Sequence, residues 1–171
     1  MPEFITLADG SLAVKGRNLL ANTAGVSLEH SGDTAGQSHM SDRIWTIQKQ
    51  SEFGGNWLTC SAQVDIDNAV ANSESGAHRI GFELVTFNKE GAVDQYLDCW
   101  LNLSAGNDPV TYHGRIYQTF QTHANLQEAA APGRFYIQRL IADSAKISNV
   151  KLEFGTEATP YSPAPEDEEA V

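Results

Sequence analysis

The sequence predicts one antiparallel β-sandwich of the jelly-roll type, with about eight strands and short extensions at both ends. Two segments, 57–67 and 95–104, predict it most clearly, because apolar and polar residues alternate in each. Turn or loop residues separate the strand candidates, and no strand–helix–strand spacing indicates a parallel sheet. A chain of 171 residues can form one hydrophobic core, and its middle shows no boundary to a second domain.

Residues 1–17 form a predicted N-terminal extension, in which an Asp-Gly turn lies between two pairs of apolar residues. The sandwich domain is expected to span 18–158. Within it, segment 23–42 is rich in Ser, Gly, Asp, His and Gln and has few apolar residues. This composition predicts a long surface loop before the first main strand.

The strand candidates after this loop are 43–50, 57–67, 79–88, 95–104, 110–120, 135–140 and 150–154. In the first of them, Trp45 and Ile47 share one phase. In 79–88 the apolar phase changes midway, and a one-residue phase change predicts a β-bulge. Residues 124–131 are the helix-like piece of the chain, and they are too short to form a stable helix alone.

The last strand candidate opens a distinctive closing stretch. Val150, Leu152 and Phe154 alternate with two charged residues, so the apolar three are expected to face the core. Segment 159–171 then contains three prolines and an acidic run. Because proline fixes its own φ and disfavours helix at the preceding residue, we expect an extended tail that leaves the domain.

The charge balance excludes two classes of partner. The chain has 22 acidic and 11 basic residues, which give a formal net charge of −11. Binding to nucleic acid or to an anionic membrane surface requires a basic patch, so we expect neither. No apolar run approaches the roughly 18 residues that span a bilayer, and we expect no membrane insertion. The N-terminus has no basic start and no apolar core of a secretion signal.

Cys60 and Cys99 lie on the apolar phase of two strand candidates. Free cysteine is among the most buried residue types, so two buried thiols are the preferred interpretation. A disulfide between neighbouring strands is the alternative. The spacing of these residues matches no zinc site.

No catalytic constellation is visible, and we therefore expect a protein that is not an enzyme. The five histidines lie mostly in predicted loops without helical i, i+4 spacing, and no serine lies in a nucleophile elbow. A glycosidase would need two carboxylates facing one cleft, which spacing in sequence does not define. We interpret the numerous acidic residues as solvated surface groups.

We expect no cofactor, with calcium as the one alternative. Asp65, Asp67, Asn68 and Asn72 could supply the oxygen ligands that calcium prefers. Their spacing matches no calcium-binding loop, and Asp and Asn are also common in turns. Turn formation is the preferred interpretation.

The strongest functional signal is the polar phase of 95–104. Tyr96, Asp98, Trp100 and Asn102 alternate with apolar residues and should therefore share the outward face of one strand. Aromatic rings can stack on the apolar face of a pyranose, and the flanking polar groups can bind its hydroxyls. These residues predict a carbohydrate-binding surface.

The following strand candidate has the same alternation. His113, Arg115 and Tyr117 share one phase and could lie beside the first four residues in the same surface. The alternative is that this face is covered by a loop, by the helix-like segment or by a partner subunit.

Both ends of the domain carry motifs with a family resemblance. Asn18, Leu19, Leu20 and Asn22 stand near the start, and the closing stretch reads ISNVKLEFGTEATPYSPAPED. Together with the strands between them, these motifs resemble the jelly-roll modules of bacteriophage tail, tail-fibre and baseplate proteins. Such modules often end in Lys-Leu-Glu-x-Gly, followed by Ala-Thr-x-Tyr/Trp-x-Pro-Ala-Pro-Glu-Asp.

The resemblance implies a virion domain shaped like a carbohydrate-binding module. Such a domain recognises a host cell-surface polysaccharide or serves only to decorate and brace the head or tail. The implied partners are that polysaccharide and other virion subunits. A protein that only decorates or braces the particle would also bind further copies of itself, for example as a trimer. The implied location is the virion, assembled in the bacterial cytoplasm. The family motif is structural and identifies no ligand-binding residue.

Overall fold

The structure, a computed structural model, describes residues 1–34, 39–104, 106 and 108–168. In chain order its strands are β1 (Phe4–Thr6), β2 (Leu12–Val14), β3 (Ser27–Asp33), β4 (His39–Met40), β5 (Ile44–Lys49), β6 (Trp57–Ala71), β7 (Arg79–Phe87), β8 (Val93–Tyr96), β9 (Cys99–Asn102), β10 (Val110–Gln121), β11 (Ala130–Gln138) and β12 (Leu140–Phe154). A 3-10 helix spans Gln50–Phe53, and helix α1 spans Pro165–Glu168.

Two antiparallel sheets face each other and confirm the predicted sandwich. Sheet I has the order β10-β6-β12-β3. Sheet II has the order β4-β11-β7-β8, with β5 also paired to β11 and β9 also paired to β7. The β1–β2 hairpin forms a separate two-stranded sheet. The described part of the chain thus contains more strands than the predicted eight or so, because several short edge strands carry weak sequence signals.

The core lies between the inner faces of the two sheets. Strand β6 shows the predicted alternation, and its inward residues are all fully buried: Leu58, Cys60, Ala62, Val64 and Ile66. The rings of Phe82 and Phe135 meet edge to face from sheet II, with centroids 5.8 Å apart. Leu152 and Phe154 of β12 face the core from sheet I, as their alternation predicts.

The predicted loop at 23–42 is wrong, because this segment includes β3 and β4. Strand β3 lies at the edge of sheet I, where it pairs only with β12. Its burial pattern shows one fully buried residue, Leu28. A strand with so little apolar surface has the composition of a loop, which explains why its sequence does not reveal it.

In strand β5, the phase that contains Trp45 does not face the core. Trp45 points outward and is 48% exposed, whereas Ile44 and Thr46 are buried. Thr46 is accommodated because its hydroxyl donates to the carbonyl of Gln48 at 2.9 Å and accepts from the amide of Ala131 at 2.9 Å. The two hydrogen bonds satisfy a polar side chain at an inward position.

Strand β7 keeps one alternation to its end, so the phase change predicted midway is wrong. Thr86 takes the inward place after Leu84, and both are fully buried. The hydroxyl of Thr86 donates to the carbonyl of Gln95 at 3.1 Å. An irregularity in the pairing with β8 lies between Thr86 and Phe87, near the end of the strand.

The helix-like segment 124–131 forms no helix. Its residues lead into β11, which begins at Ala130. Ala131 is fully buried on the inward face, and Leu126 is buried beside the core. Tertiary burial therefore overrides a local helical preference that is weak at this length.

The two thiols are buried, as predicted, and form no disulfide. Cys60 belongs to sheet I and Cys99 to sheet II, so they face each other across the core and not along neighbouring strands. Their Sγ atoms are 3.5 Å apart. The hydrogen bond with Cys99 and burial raise the pKa of the Cys60 thiol well above its ordinary value.

The tail does not leave the domain as predicted, because residues 159–164 cover the outer face of sheet I. Lys151 and Glu153 point away from the core, yet each is only 1% exposed. Lys151 Nζ donates to Thr159 Oγ1 at 2.5 Å and to the carbonyl of Pro160 at 2.9 Å. The amide and hydroxyl of Thr159 donate to the Glu153 carboxylate at 2.9 and 2.8 Å. Burial lowers the pKa of Lys151.

The Asn18 side chain, which is fully buried, joins both ends of the domain. Its Nδ2 donates to the carbonyls of Val150 and Ser162, both at 3.2 Å. Its Oδ1 accepts from the amides of Leu20 at 3.1 Å and Leu152 at 3.2 Å. The start motif, the last strand and the tail thus form one hydrogen-bonded unit.

Replacing Thr159 should weaken this unit. Thr159→Val keeps the shape of the side chain but removes the hydroxyl that pairs with Lys151 and Glu153, which are too buried to be solvated instead. We expect the free energy of unfolding to fall by about 1–3 kcal/mol in urea titrations. Thr156→Val, at an exposed position in the preceding turn, is the matched control and should be neutral. Equal stability of both variants would contradict the described role of Thr159.

Candidate functional site

The four residues predicted to share an outward face do so. The predicted strand 95–104 is interrupted, since β8 ends at Tyr96 and β9 begins at Cys99. The alternation nevertheless continues, because Leu97 and Cys99 are buried against the core. Tyr96, Asp98, Trp100 and Asn102 therefore lie on the outer face of sheet II. Tyr96 is 50% exposed there.

Trp100 is held flat on the sheet by its surroundings. It pairs with Gly81 of β7, and a Cβ atom at position 81 would overlap the Trp100 ring and the Cys99 carbonyl oxygen. Its indole Nε1 donates to the Asp98 carboxylate. The guanidinium of Arg79 stacks over the ring, with its carbon 3.6 Å from the ring centroid. Asp98 thus acts as a positioning residue for Trp100.

A row of apolar and aromatic residues crosses sheet II at right angles to its strands. Met40 pairs with Tyr136, Tyr136 pairs with Gly81, and Gly81 pairs with Trp100. The centroids of the Trp100 and Tyr136 rings are 5.9 Å apart. The sequence prediction did not include Tyr136 in this surface. Its position between the buried Phe135 and Ile137 was the signal that could have placed it there.

A second apolar row crosses the same face nearer the other end of the strands. Trp45 pairs with Pro132, and Val85 pairs with Tyr96. Pro132 and Tyr136 are four residues apart in β11, which places the rows about 13 Å apart at roughly 3.3 Å per residue. We call the face with these two rows the sheet II surface.

A shallow hollow of about 200 Å³ lies between the two rows. It is lined by Arg43, Glu83, Val85, Phe87, Pro132, Gly133, Arg134 and Tyr136. Arg134 pairs with Glu83 across the strands. Burial raises the pKa of the Glu83 carboxyl, and the nearby arginines oppose that shift.

The other three predicted residues lie elsewhere. His113, Arg115 and Tyr117 belong to β10 in sheet I, where they pair with outward residues of β6. The outer faces of the two sheets point in opposite directions, so these residues cannot share a surface with Trp100. The prediction that they lie side by side is wrong, because alternation defines the face of a strand but not the sheet to which it belongs.

Each of these three residues has a different environment. His113 lies between two carboxylates, with Nδ1 3.1 Å from Asp65 and Nε2 3.1 Å from Asp67. The hydrogen bonds to Asp65 and Asp67 raise the pKa of His113. Arg115 Nη2 donates to Ser61 Oγ at 2.7 Å, beneath the tail. Tyr117 is 65% exposed.

The four residues considered for calcium do not converge on one point. Asp65 and Asp67 bind His113, and Asp67 also accepts from the Ser144 hydroxyl at 2.7 Å. Asn72 Nδ2 instead donates to Asp33 at 2.9 Å. Among the described residues, no group of three or more His, Cys, Asp or Glu could hold a metal ion.

A larger hollow, of about 470 Å³, lies where the β1–β2 hairpin meets the end of the sandwich. Its lining includes Ile5, Trp57 and Phe154 together with Lys15. Lys15 is already paired with Glu3 at 3.4 Å and Glu157 at 3.2 Å. The amino group in this lining is therefore already engaged by two carboxylates. No helix in the described part of the chain is long and apolar enough to cross a membrane.

Adding a side chain at position 81 should disturb the sheet II surface. In Gly81→Ala, the new Cβ would overlap the Cys99 carbonyl oxygen, so strand β9 and Trp100 must move. We expect unfolding to become easier by about 1–3 kcal/mol and the near-ultraviolet circular dichroism of Trp100 to change. Gly114→Ala is the control, because its Cβ would approach only the movable ring end of Tyr112. Unaltered spectra and stability for Gly81→Ala would refute this geometry.

His113 should titrate above its ordinary pKa of 6.5. A raised pKa in the folded state stabilises the fold below about pH 6.5, and this contribution disappears as the pH rises through the raised value. His113→Gln should remove that part of the pH dependence in denaturation series. An NMR titration checks the pKa directly, with Asp65→Asn/Asp67→Asn as the variant that should return it towards 6.5. A pKa at or below 6.5 in the unmodified chain would contradict the bridging geometry.

Several solved structures resemble this chain at low identity. No protein-family model and no curated protein matches it. The tripod from the baseplate of bacteriophage Tuc2009 shares 14% identity over 96% of this chain and 65% of that one, with a TM-score of 0.47. The tailspike protein 4 enzymatically active domain of bacteriophage CBA120 shares 9% identity over 81% of this chain and 21% of that one, with a TM-score of 0.45.

A bacterial structure resembles it as well. The xylanase 10B CBM22-1–GH10 modules of Clostridium thermocellum, complexed with xylohexaose, share 9% identity over 95% of this chain and 30% of that one, with a TM-score of 0.40. The chain thus spans less than two thirds of each of these three proteins. Likeness at these values assigns neither family nor ligand.

Proposed function

We propose that this chain is a non-catalytic, carbohydrate-binding-module-like domain of a bacteriophage virion that binds a host cell-surface polysaccharide through its sheet II surface. The observation that carries the proposal is the pair of aromatic rows on one flat, partly exposed face. Tyr136 and Trp100 form one row, and Trp45 and Tyr96 belong to the other.

The chemistry of this face suits a sugar chain. Aromatic rings offer flat apolar area to the C–H faces of pyranoses, and they lose little side-chain entropy on binding. The exposed Asn102 supplies a hydrogen-bonding group beside the Trp100 row, where Arg79 Nε donates to Gln138 Oε1 at 2.6 Å. Gly81 and the Arg79 guanidinium pack on the Trp100 ring, so the exposed rings of Tyr96 and Trp45 are the ones open to stacking, while Trp100 forms the fixed base of the site.

The opposite face suits a sugar less well. The tail covers much of the outer face of sheet I and buries Lys151 and Glu153. His113 is engaged by Asp65 and Asp67, so its ring nitrogens already have partners. The proposed site therefore keeps Tyr96, Asp98, Trp100 and Asn102 and leaves out the residues of β10.

The virion context of the proposal derives from the sequence resemblance at both ends of the domain. The residues of that resemblance meet through Asn18, which binds the last strand and the tail. A self-contained module of this kind can be presented by a tail or fibre, with the host polysaccharide and other virion subunits as partners. Location in the virion belongs to the same proposal.

Removing one aromatic ring from each row should weaken polysaccharide binding. We expect Trp100→Ala with Tyr96→Ala to weaken binding to host cells or cell-wall polysaccharide by about tenfold or more, the usual effect of truncating an aromatic anchor. Tyr117→Ala is the matched control, since it removes an exposed tyrosine from the opposite face. Tyr96→Ala alone serves as a second variant, because Trp100 also packs on Gly81. Undiminished binding by folded double variants would overturn the proposed function.

An assembly protein without glycan binding is the second candidate. The observation in its favour is the hairpin, whose residues Phe4, Leu12 and Val14 are 55%, 65% and 39% exposed. Exposed apolar area of this kind is typical of a subunit contact. Light scattering would then show a stable oligomer, such as a trimer, that Leu12→Ser dissociates. A monomer in light scattering, with Leu12→Ser leaving the measured mass unchanged, would contradict this candidate.

A further inference from the structure

The basic residues of this acidic chain are distributed unevenly. Six of the 11 form ion pairs with carboxylates: Lys15, Arg17, Lys49, Arg139, Lys146 and Lys151. Among the described residues, five form no such pair: Lys89 lies in the turn after β7 and Arg115 in sheet I, whereas Arg43, Arg79 and Arg134 lie on the sheet II surface. Arg79 is engaged by the Trp100 ring and donates from Nε to Gln138 Oε1 at 2.6 Å. Arg43 and Arg134 are thus the two described arginines of this face that are left for an external anion.

Asp98 and Glu83, the acidic groups beside these arginines, both accept hydrogen bonds from aromatic residues of the chain. Asp98 accepts the hydrogen bond of the Trp100 indole. Glu83 is half-buried beside the Tyr136 hydroxyl, which donates to it at 3.5 Å. The sheet II surface is thus locally basic although the whole chain carries a net charge of −11.

The arginines are placed where a ligand would lie. Arg43 and Arg134 both line the hollow between the two aromatic rows. The contact that Arg134 makes there is a weak one, from Nη1 to the sulfur of Met40 at 3.8 Å. Guanidinium groups present a planar fork of N–H donors that matches a carboxylate or a phosphate. The hollow therefore offers the N–H donors of two guanidinium groups to an anionic group.

We propose that the polysaccharide bound by the sheet II surface is anionic, with a carboxylate or phosphodiester group between Arg43 and Arg134 and its sugar rings on the aromatic rows. This inference rests on the proposed function and adds the chemical class of the ligand. The net charge of the chain does not oppose it, because charges beyond about 8–10 Å are largely screened at physiological ionic strength. Within contact distance, the local guanidinium groups dominate.

The test compares anionic with neutral polymers, and polygalacturonate with its methyl ester is the pair matched in backbone. Isothermal titration calorimetry would use polygalacturonate, its fully methyl-esterified form, poly(glycerol phosphate) and neutral xylan. We expect binding to one or both anionic polymers and at least about tenfold weaker binding to the ester and to xylan. Polygalacturonate and poly(glycerol phosphate) distinguish a carboxylate ligand from a phosphodiester ligand.

Two matched double variants complete the test. Arg43→Gln/Arg134→Gln should weaken binding to the anionic polymer by about 10- to 100-fold. Lys15→Gln/Lys146→Gln removes the same charge from exposed sites outside sheet II and should bind normally. Thermal melting would confirm that both fold.

Each further outcome decides between the proposals. Equal binding to charged polymers and to the ester or xylan would overturn this inference and leave the proposed function standing. Equal weakening by the two double variants would overturn it as well, since it would indicate a general charge effect. Absence of binding to every polymer would overturn the inference, whereas the proposed function fails only if the Trp100→Ala/Tyr96→Ala variant binds host cells undiminished.

Discussion

The buried amide of Asn18 is the interaction on which this fold depends. It binds the backbone of the last strand through Val150 and Leu152 and the tail through Ser162. Beside it, Lys151 and Glu153 are buried outside the apolar core, where uncompensated charges would cost several kcal/mol each. The tail provides their hydrogen-bond partners. The closing strand and the tail are therefore stabilised together, because the buried charges of the strand form hydrogen bonds with polar groups of the tail.

The closure also distinguishes the two outer faces of the sandwich. The tail covers sheet I at Lys151 and Glu153, whereas Tyr117 of β10 stays exposed on that sheet. The outer face of sheet II carries Tyr96 and Trp100. There, glycine at position 81 lets the Trp100 ring lie on the sheet, and Asp98 fixes the indole. The outer face of sheet II is therefore aromatic. On the outer face of sheet I, the buried Lys151 and Glu153 form hydrogen bonds with the tail. The hollow with Arg43 and Arg134 adds a local charge opposite in sign to that of the chain.

The elements that were predictable are those with strong alternation. Strand β6 and the outward set from Tyr96 to Asn102 follow from period-two patterning, because one face of each is fully buried. Strand β3 was not predictable, since an edge strand with a single buried leucine has too little apolar surface to produce a pattern. The inward threonines of β5 and β7 were also missed, because backbone hydrogen bonds satisfy them in the folded state only.

The sequence by itself determined the fold class, the burial of both thiols and the outward direction of Tyr96 and Trp100. These properties depend on local alternation and on apolar burial. Tertiary structure alone decided that β10 belongs to the opposite sheet, that the tail folds back, and that Arg43 and Arg134 share a hollow. Sheet membership and register bring together residues that are distant in the chain, and no local pattern records such pairings.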